Sequence, residues 1–540
     1  SLMMKVVLAQ INPTVGALDA NSKKIKEIIR EYTSQCDLII FPEMALTGYP
    51  PQDLLLDDTF IQQAQEVLES IAASVKTTAV IVGTIRKENN NLFNTAAVIQ
   101  DEAVIAYRDK THLPTYDVFD EVRYFKPSES VEPVEVDING KSVKLGLQIC
   151  EDLWDDEYNT KVSKLLCSQG AELLINISAS PFHINRLDER LELIKDKAND
   201  LKCSFIYCNL TGAQDELVFD GQSCIVNSSG EVIFLSAAFE ENVQLVDMEK
   251  YNPIKVLEPA EEEQIFNALS LGVGDYFKKT GHSQAVIGLS GGIDSALTAA
   301  IAQNALGSDN VLGISMPSIF SSDHSISDAQ ILAENLDIQF EIIPIKQINE
   351  QMLNELSPIF NGSEAGLAEE NLQARIRGNI LMAVANKRGA LLLNTGNKTE
   401  TALGYCTMYG DMAGALGVIS DLNKSQVYAV SQWINTQFKK EIIPHNTLTK
   451  PPSAELKPNQ VDPFDYDVVS PLVDILINEP WRSHELGKEG YAPELVMELM
   501  QKIRLAEFKR RQAAPGIRIS PKAFGVGRRY PIVNQFSTEK

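Results

Sequence analysis

Along the first half of the chain, short apolar, β-branched runs alternate with stretches whose apolar residues recur every three or four positions. The runs at 6–11, 38–41, 79–83, 144–149, 173–177 and 205–209 predict strands, and the helical period predicts helices over 21–32, 58–73 and 186–200. Such alternation predicts α/β layers, and several runs end in polar clusters, where α/β sheets gather ligands. The proline-bearing, acidic stretch 251–263 breaks the pattern and predicts a connection between a domain at 4–250 and another at 264–540. Beyond it come a helix at 265–279, a strand at 285–289, an amphipathic helix from Asp294 or Ser295, a strand at 311–316 and a helix at 325–335. A strand at 340–343, a helix at 371–377 and a strand that ends at Asn394-Thr395-Gly396 complete this part.

Composition narrows the class. A chain of 540 residues is too long for one ordinary domain, and its 44% hydrophobic content is ample for two or three cores. Lysine and arginine total 48 against 73 acids, a net charge of −25, which argues against a nucleic-acid groove or an anionic membrane surface. Any phosphate-bearing substrate must then meet locally clustered basic residues. No apolar run approaches membrane length and no signal-peptide pattern opens the chain; Ser1-Leu2 before Met3-Met4 reads as a cloning remnant. The seven cysteines form no CxxC pair, and the six histidines have no zinc-ligand spacing with them. A reducing, cytoplasmic setting is expected.

The break after the strand at 285–289 carries the first chemistry. In Gly288-Leu289-Ser290-Gly291-Gly292-Ile293-Asp294-Ser295, glycines let the backbone approach a ligand, and the turn's N–H groups with a helix N-terminus make an anion site. A phosphate chain is the natural guest, and Asp294 is placed to hold magnesium against it. No lysine follows the glycines, so this is not a Walker A loop. Ser-Gly-Gly-Ile-Asp-Ser resembles the SGGxDS loop of the ATP pyrophosphatase superfamily, whose members split ATP to adenylate an oxygen and then displace AMP.

Three segments of the first half deliver an acid, a cation and a thiol: Phe41-Pro42-Glu43, Lys110 before Leu113-Pro114, and Cys150-Glu151-Asp152. Amide hydrolysis through a thioester needs these parts: a carboxylate to take the sulfur's proton and a cation with an N–H to meet the oxyanion. Together they resemble the Glu-Lys-Cys triad of the nitrilase, or carbon–nitrogen hydrolase, superfamily. The resemblance implies an αββα sandwich with Glu43 as base, Lys110 as oxyanion cation and Cys150 as nucleophile. It also places Tyr116, Phe119, Ser180 and Arg186 around glutamine, an arginine suiting a carboxylate through a bidentate pair. Glu216, Phe219, Asp220 and Ser223 match a further family segment without assigned roles.

In the second half, Asn371 and Arg375 stand at i and i+4, on one helix face, and Arg377 follows. Thr395 is placed to meet ATP, Lys398 a phosphate, and Glu400 a second magnesium position beside Asp294; Lys424 is a further basic candidate. Asn371-Leu-Gln-Ala-Arg375-Ile-Arg377, Asn394-Thr-Gly-Asn-Lys-Thr-Glu400, Gly404-Tyr-Cys-Thr-Met-Tyr-Gly-Asp411 and Pro451-Pro-Ser-Ala-Glu-Leu456 stand in the order found in NAD synthetases, which they resemble. The tail segments 508–512 and 524–529 fit too. The resemblance implies a Rossmann-like domain with a parallel sheet. It implies that residues 288–295 and Thr395 face ATP, that Met316-Pro317-Ser318 lies on the adenine side, and that Asn371, Glu400 and Lys509 face deamido-NAD.

The two resemblances imply one reaction: magnesium-ATP adenylates the carboxylate of deamido-NAD, and ammonia from L-glutamine displaces AMP to give NAD. Ammonium ion is no nucleophile, so delivery of ammonia without release to solvent is expected, as is a homo-oligomer. The alternative is another glutamine-dependent amidotransferase of the ATP pyrophosphatase superfamily. A GMP synthetase would carry a Cys-His-Glu glutaminase, a tRNA-thiolating relative would show paired cysteines and a basic surface, and a nucleotide sensor would need no nucleophile.

Overall fold

Residues 6–9, Val-Val-Leu-Ala, send alternate side chains to opposite faces of a strand, and both faces are buried. Val6 and Leu8 join Leu147, Ile175 and Ile206 in one core, whereas Val7 and Ala9 pack against Ile25, Ile29, Leu68 and Ile71 in another. Strands buried on both sides read as continuous apolar runs, which is why they stand out in the sequence. The computed structural model describes residues 4–537 and divides into two units, Ser1–Pro259 and Ala260–Lys540. Ser1-Leu2, read above as a cloning remnant, lie outside the described residues.

The first unit has two six-stranded sheets. One runs in the order Asn242–Asp247, Lys5–Gln10, Leu38–Ile40, Ala79–Glu88, Asn91–Gln100, Ala103–Asp109, and its second to fourth strands are parallel. The other runs Val232–Leu235, Cys224–Val226, Phe205–Asn209, Leu173–Ser178, Lys141–Ile149, Val134–Ile138, again with a parallel centre of three. Helices Leu18–Tyr32 and Asp58–Ala72 cover the outer face of the first sheet, and Val162–Ser168 and Arg186–Leu201 that of the second. The result is an αββα sandwich. Leu18–Tyr32 buries Leu18, Asn21, Ser22, Ile25, Ile28 and Ile29, a stripe at helical spacing that starts before the predicted residue 21.

The second unit has a five-stranded parallel sheet in the order Gln339–Ile342, Val311–Ser315, Ala285–Gly288, Leu391–Asn394, Leu416–Gly417. The chain enters at the middle strand, builds one side and then the other, so the strand order reverses beside Ala285–Gly288. Ligands of such sheets bind at the carboxyl ends next to that reversal. Helix Leu367–Arg388 packs Leu372, Ile376 and Ala385 on Val286, Leu312 and Leu392. Helix Ile293–Leu306 corrects an expectation. It is not amphipathic, because residues 295–302 are all buried, and a helix apolar all round belongs inside a domain. Tyr466–Asn478 and Pro493–Leu505 form a separate helical cluster with Leu403. Helix Glu261–Lys279 starts inside the stretch expected as a connection, whose residues 251–260 carry no regular structure.

Candidate active sites

Glu43 stands three residues past Ile40 at the carboxyl end of its strand and is wholly buried. Its neighbour strand makes room for it: a Cβ on Gly83 would lie 2.7 Å from Glu43 Cα. Lys110 Nζ donates to Glu43 Oε2 at 2.8 Å and to Glu121 Oε2 at 2.9 Å, Asn94 Nδ2 donates to Glu43 Oε2 at 2.7 Å, and the Ala179 N–H donates to Glu43 Oε1 at 2.9 Å. Burial alone would drain the proton from the Lys110 ammonium, but the charges of Glu121 and Glu43 outweigh it and hold the pKa well above the usual value. Burial pushes Glu121 up, with Lys110 opposing.

Cys150 directly follows the strand Lys141–Ile149 and adopts φ 41°, a left-handed conformation that non-glycine residues rarely take. Its thiol is pushed far up, first by burial and then by the charge of Glu43, while Lys110 opposes both. The sulfur therefore rests protonated among an acid and a cation. Glu43, Lys110 and Cys150 come from three strand ends of two sheets and meet in one cluster, the first two buried and Cys150 half-buried.

The residues expected around glutamine divide. Tyr116 is half exposed, rests edge-on against Phe119 at 5.6 Å and donates its hydroxyl to Glu151 Oε2 at 2.7 Å. Arg186 stacks on Trp154, 4.1 Å from the ring centre. Ser180 is buried, and its Oγ accepts from Arg190 Nη2 at 3.2 Å. Arg190 in turn pairs with Asp220 in a buried fork, at 3.0 and 3.2 Å, which gives Asp220 of the unassigned segment a part. Ser223 Oγ donates to Gln10 Oε1 at 2.8 Å. The sequence reading assigned no role to Glu121, Glu151, Asn94 or Arg190. Glu121 stands two residues after Phe119 and Glu151 follows Cys150, so both acids lie beside named residues without a sign in the sequence that they would be buried.

In the second unit the loop after Leu289 turns through Gly291 at φ 81°, where an added Cβ would lie 2.7 Å from Ser325 Cα. Ser290 Oγ accepts from the Gly292 N–H at 3.2 Å, and Ser295 Oγ accepts from the Ser290 N–H at 3.2 Å, so the two serines stiffen the turn. Helix Ile293–Leu306 begins there, with the first-turn N–H groups that no intrahelical carbonyl can reach. Asp294 accepts from Lys424 Nζ at 2.7 Å and from Asn397 Nδ2 at 3.1 Å. Glu400 Oε1 accepts from the Asn397 N–H at 3.1 Å. Burial and then the charge of Asp294 hold Glu400 well above the carboxylate range, with Lys424 opposing.

Thr395 lies in the turn between strand Leu391–Asn394 and helix Lys398–Leu403. Asn371 and Lys509 both meet the 404–411 segment: Thr407 Oγ1 donates to Asn371 Oδ1 at 2.9 Å, and Lys509 Nζ donates to the carbonyls of Gly404 and Cys406 at 2.9 and 2.8 Å. Asp411 of that segment also acts on Glu400. Arg375 Nε donates to Met408 O at 3.0 Å, and Arg377 Nε to Met316 O at 2.9 Å.

One expectation fails here. Lys398 does not reach for a phosphate: its side chain is wholly buried, with Nζ 3.2 Å from Asp421 and 3.1 Å from Asp474. Arg510 and Arg528 of the tail likewise pair with Glu507. A basic side chain in a signature block is as good a structural tie as a ligand, and its spacing does not distinguish the two. Among the described residues, no group of three or more His, Cys, Asp or Glu side chains could hold a metal. Magnesium on a phosphate chain needs only one or two carboxylates, and the close, mutually repelling pair Asp294 and Glu400 fits that demand. No helix among the described residues is long and apolar enough to cross a membrane.

The family model for carbon–nitrogen hydrolases matches residues 5–251, and that for NAD synthases matches 265–513. The chain is 44% identical to a glutamine-dependent NAD(+) synthetase of Synechocystis sp., over 99% of each chain, and 41% identical to one of Thermotoga maritima, again over 99% of each. Among solved structures, glutamine-dependent NAD+ synthetase from Acinetobacter baumannii in complex with adenosine diphosphate matches with a TM-score of 0.79 at 34% identity, over 98% of each chain. That from Cytophaga hutchinsonii, at 22% identity, has the same fold, with a TM-score of 0.85 over 98% of each.

Proposed function

The chain belongs to the glutamine-dependent NAD(+) synthetase family, and from that premise we propose how its own residues carry the reaction. The enzyme amidates deamido-NAD to NAD at the expense of ATP, with nitrogen taken from glutamine. We assign glutamine hydrolysis to a domain at 4–250, synthesis to one at 264–540, and the connection to 251–263.

Glu43 accepts the Cys150 proton as the sulfur attacks the glutamine amide carbon. Burial keeps the thiol protonated, so the sulfur needs Glu43 as a base before it can act as a nucleophile. The oxyanion meets the Lys110 ammonium, which the two carboxylates keep charged. Glu43 then returns the proton to the leaving ammonia and activates the water that cleaves the thioester. Glu121 and Asn94 hold Lys110 and Glu43 in register. Tyr116, Phe119, Ser180 and Arg186 position glutamine; Arg186, set against Trp154, suits its carboxylate.

In the second unit, residues 288–295 and Thr395 hold ATP, with the phosphate chain on the first turn of helix Ile293–Leu306. Asn371, Glu400 and Lys509 border deamido-NAD through the 404–411 segment. Asp294 and Glu400 would hold magnesium, which when bound neutralises charge on the departing pyrophosphate. Lys424 supplies positive charge beside that carboxylate pair. The carboxylate of deamido-NAD attacks the α-phosphate, pyrophosphate leaves, and ammonia displaces AMP from the acyl adenylate. We further propose a homo-oligomer in the cytoplasm.

The observation that carries this reading is the buried contact of Lys110 with Glu43 beside Cys150. Its test is a pair of variants. Cys150→Ala should lose glutamine-driven synthesis and keep synthesis from ammonium salts, whereas Asp294→Ala should lose both. Loss of ammonium-driven synthesis in Cys150→Ala would refute the division of labour.

A further inference from the structure

Asp152 has 0% exposure and lies outside the Glu43–Lys110–Glu121 cluster, yet its carboxylate is fully used. Oδ1 accepts from the N–H groups of Thr111 at 3.1 Å and His112 at 2.8 Å, and Oδ2 accepts from the Ile149 N–H at 3.1 Å. Thr111 and His112 directly follow Lys110, and Ile149 directly precedes Cys150. One side chain therefore grips the backbone on both sides of the gap between the ammonium and the sulfur.

The two grips belong to different sheets, since Lys110 follows the strand Ala103–Asp109 of one and Cys150 follows Lys141–Ile149 of the other. No ladder hydrogen bond can fix a spacing between sheets. Arg108 spans the same gap: Nε donates to Leu147 O at 3.1 Å and Nη2 to Thr111 Oγ1 at 3.0 Å, and its charge acts on Asp152. A buried carboxylate is costly unless its oxygens are satisfied, and an apolar side chain would serve mere packing. Three backbone donors and a guanidinium account for the carboxylate at this position.

We propose that Asp152, buttressed by Arg108, is a positioning residue that sets the distance between the Lys110 ammonium and the Cys150 sulfur in glutamine hydrolysis. The proposal rests on the roles assigned above to Lys110 and Cys150. Asparagine has the shape of aspartate but one acceptor oxygen, so in either orientation its NH2 group faces a backbone donor. The two strand ends then lose their common anchor. A shift of about 1 Å at reacting groups can cost on the order of a hundredfold in rate.

The test uses the full chain. Glutamine hydrolysis is measured with ATP and deamido-NAD present, and reactive sites are counted by mass spectrometry after labelling with diazo-oxo-norleucine. Asp152→Asn should lower kcat per labelled site by roughly ten- to a hundredfold, leave KM for glutamine within about threefold, and keep ammonium-driven synthesis. Absence of any label in a variant that still makes NAD from ammonium is the extreme of the same result. A wild-type kcat per site, or a loss confined to KM, would overturn the proposal. Should Asp152→Asn fail to fold, Arg108→Lys reads the same coupling: kcat falls with KM unchanged if the proposal holds, and an unchanged kcat overturns it. Cys150→Ala run alongside separates the two levels. Glutamine-driven synthesis surviving in Cys150→Ala sinks the assigned roles, whereas its loss there with an unaltered Asp152→Asn sinks the positioning alone.

Discussion

Lys110 illustrates how a buried charge is kept at work. It has two carboxylate partners and almost no solvent, so removing it leaves Glu43 and Glu121 facing each other unpaired. Lys110→Met is expected to cost about 3–5 kcal/mol of stability in addition to glutamine hydrolysis, since breaking a buried pair strands the remaining charge. Urea unfolding followed by near-ultraviolet circular dichroism would measure it. The pH dependence follows from the raised pKa. A group whose folded pKa lies above its unfolded value stabilises fully below the unfolded value, about 10.4 for lysine, and its contribution fades only as pH rises through the folded value. Glutamine hydrolysis should then show no alkaline loss due to Lys110 below about pH 10. An alkaline limb between pH 8 and 9 that vanishes in Lys110→Arg would contradict this. Gly291 is the other exacting position. Its φ of 81° and the nearness of Ser325 leave no room for a side chain, so Gly291→Ala should abolish synthesis from glutamine and ammonium alike while sparing glutamine hydrolysis.

At the scale of elements, Glu43 depends on the strand beside it. Gly83 lies in Ala79–Glu88 where the chain around Glu43 crosses closely, and Gly83→Ala must push Glu43 away. Slower glutamine hydrolysis with unchanged ammonium-driven synthesis is expected, and steady-state assays with each nitrogen source would decide it. The parallel centres of all three large sheets were legible in the sequence because doubly buried strands are apolar throughout. The antiparallel strands Asn91–Gln100, Ala103–Asp109 and Val134–Ile138 were not predicted. Ala103–Asp109 holds the run Ala-Val-Ile-Ala-Tyr but alternates exposed with half-buried residues, and Asn91–Gln100 confines its run to residues 96–99 behind Asn94-Thr95, so neither stands out as a doubly buried strand. The site was legible as far as backbone carries it: Gly291 and Gly292 mark the loop, and Glu43, Lys110 and Cys150 stand at strand ends. Side-chain partnerships were not. Glu121 reaches Lys110, Arg190 reaches Ser180, and Lys398 turns inward to Asp421 because the connecting loops fold these residues together, which no helix or strand period records.

At the scale of the molecule, a chain at −25 takes two polyanionic substrates. Lys398, Arg510 and Arg528 are committed to internal acids and Lys424 is tied to Asp294, so under the assignment proposed above the load falls on the loop's N–H groups and on the magnesium that Asp294 and Glu400 would hold. Ammonia must also survive protonation in water before it meets the adenylate. Delivery without release predicts that a scavenger of free ammonia, such as glutamate dehydrogenase with its substrates, leaves glutamine-driven NAD formation untouched. Loss of product to the scavenger would rule out such delivery. The central claim is that the Cys150 sulfur liberates the nitrogen that the second unit installs. Its most direct measurement supplies glutamine labelled with nitrogen-15 in the side-chain amide together with unlabelled ammonium, ATP and deamido-NAD, and weighs the NAD formed. Wild-type protein should place the heavy nitrogen in NAD and Cys150→Ala only the light one; heavy nitrogen in the NAD made by Cys150→Ala would contradict the account.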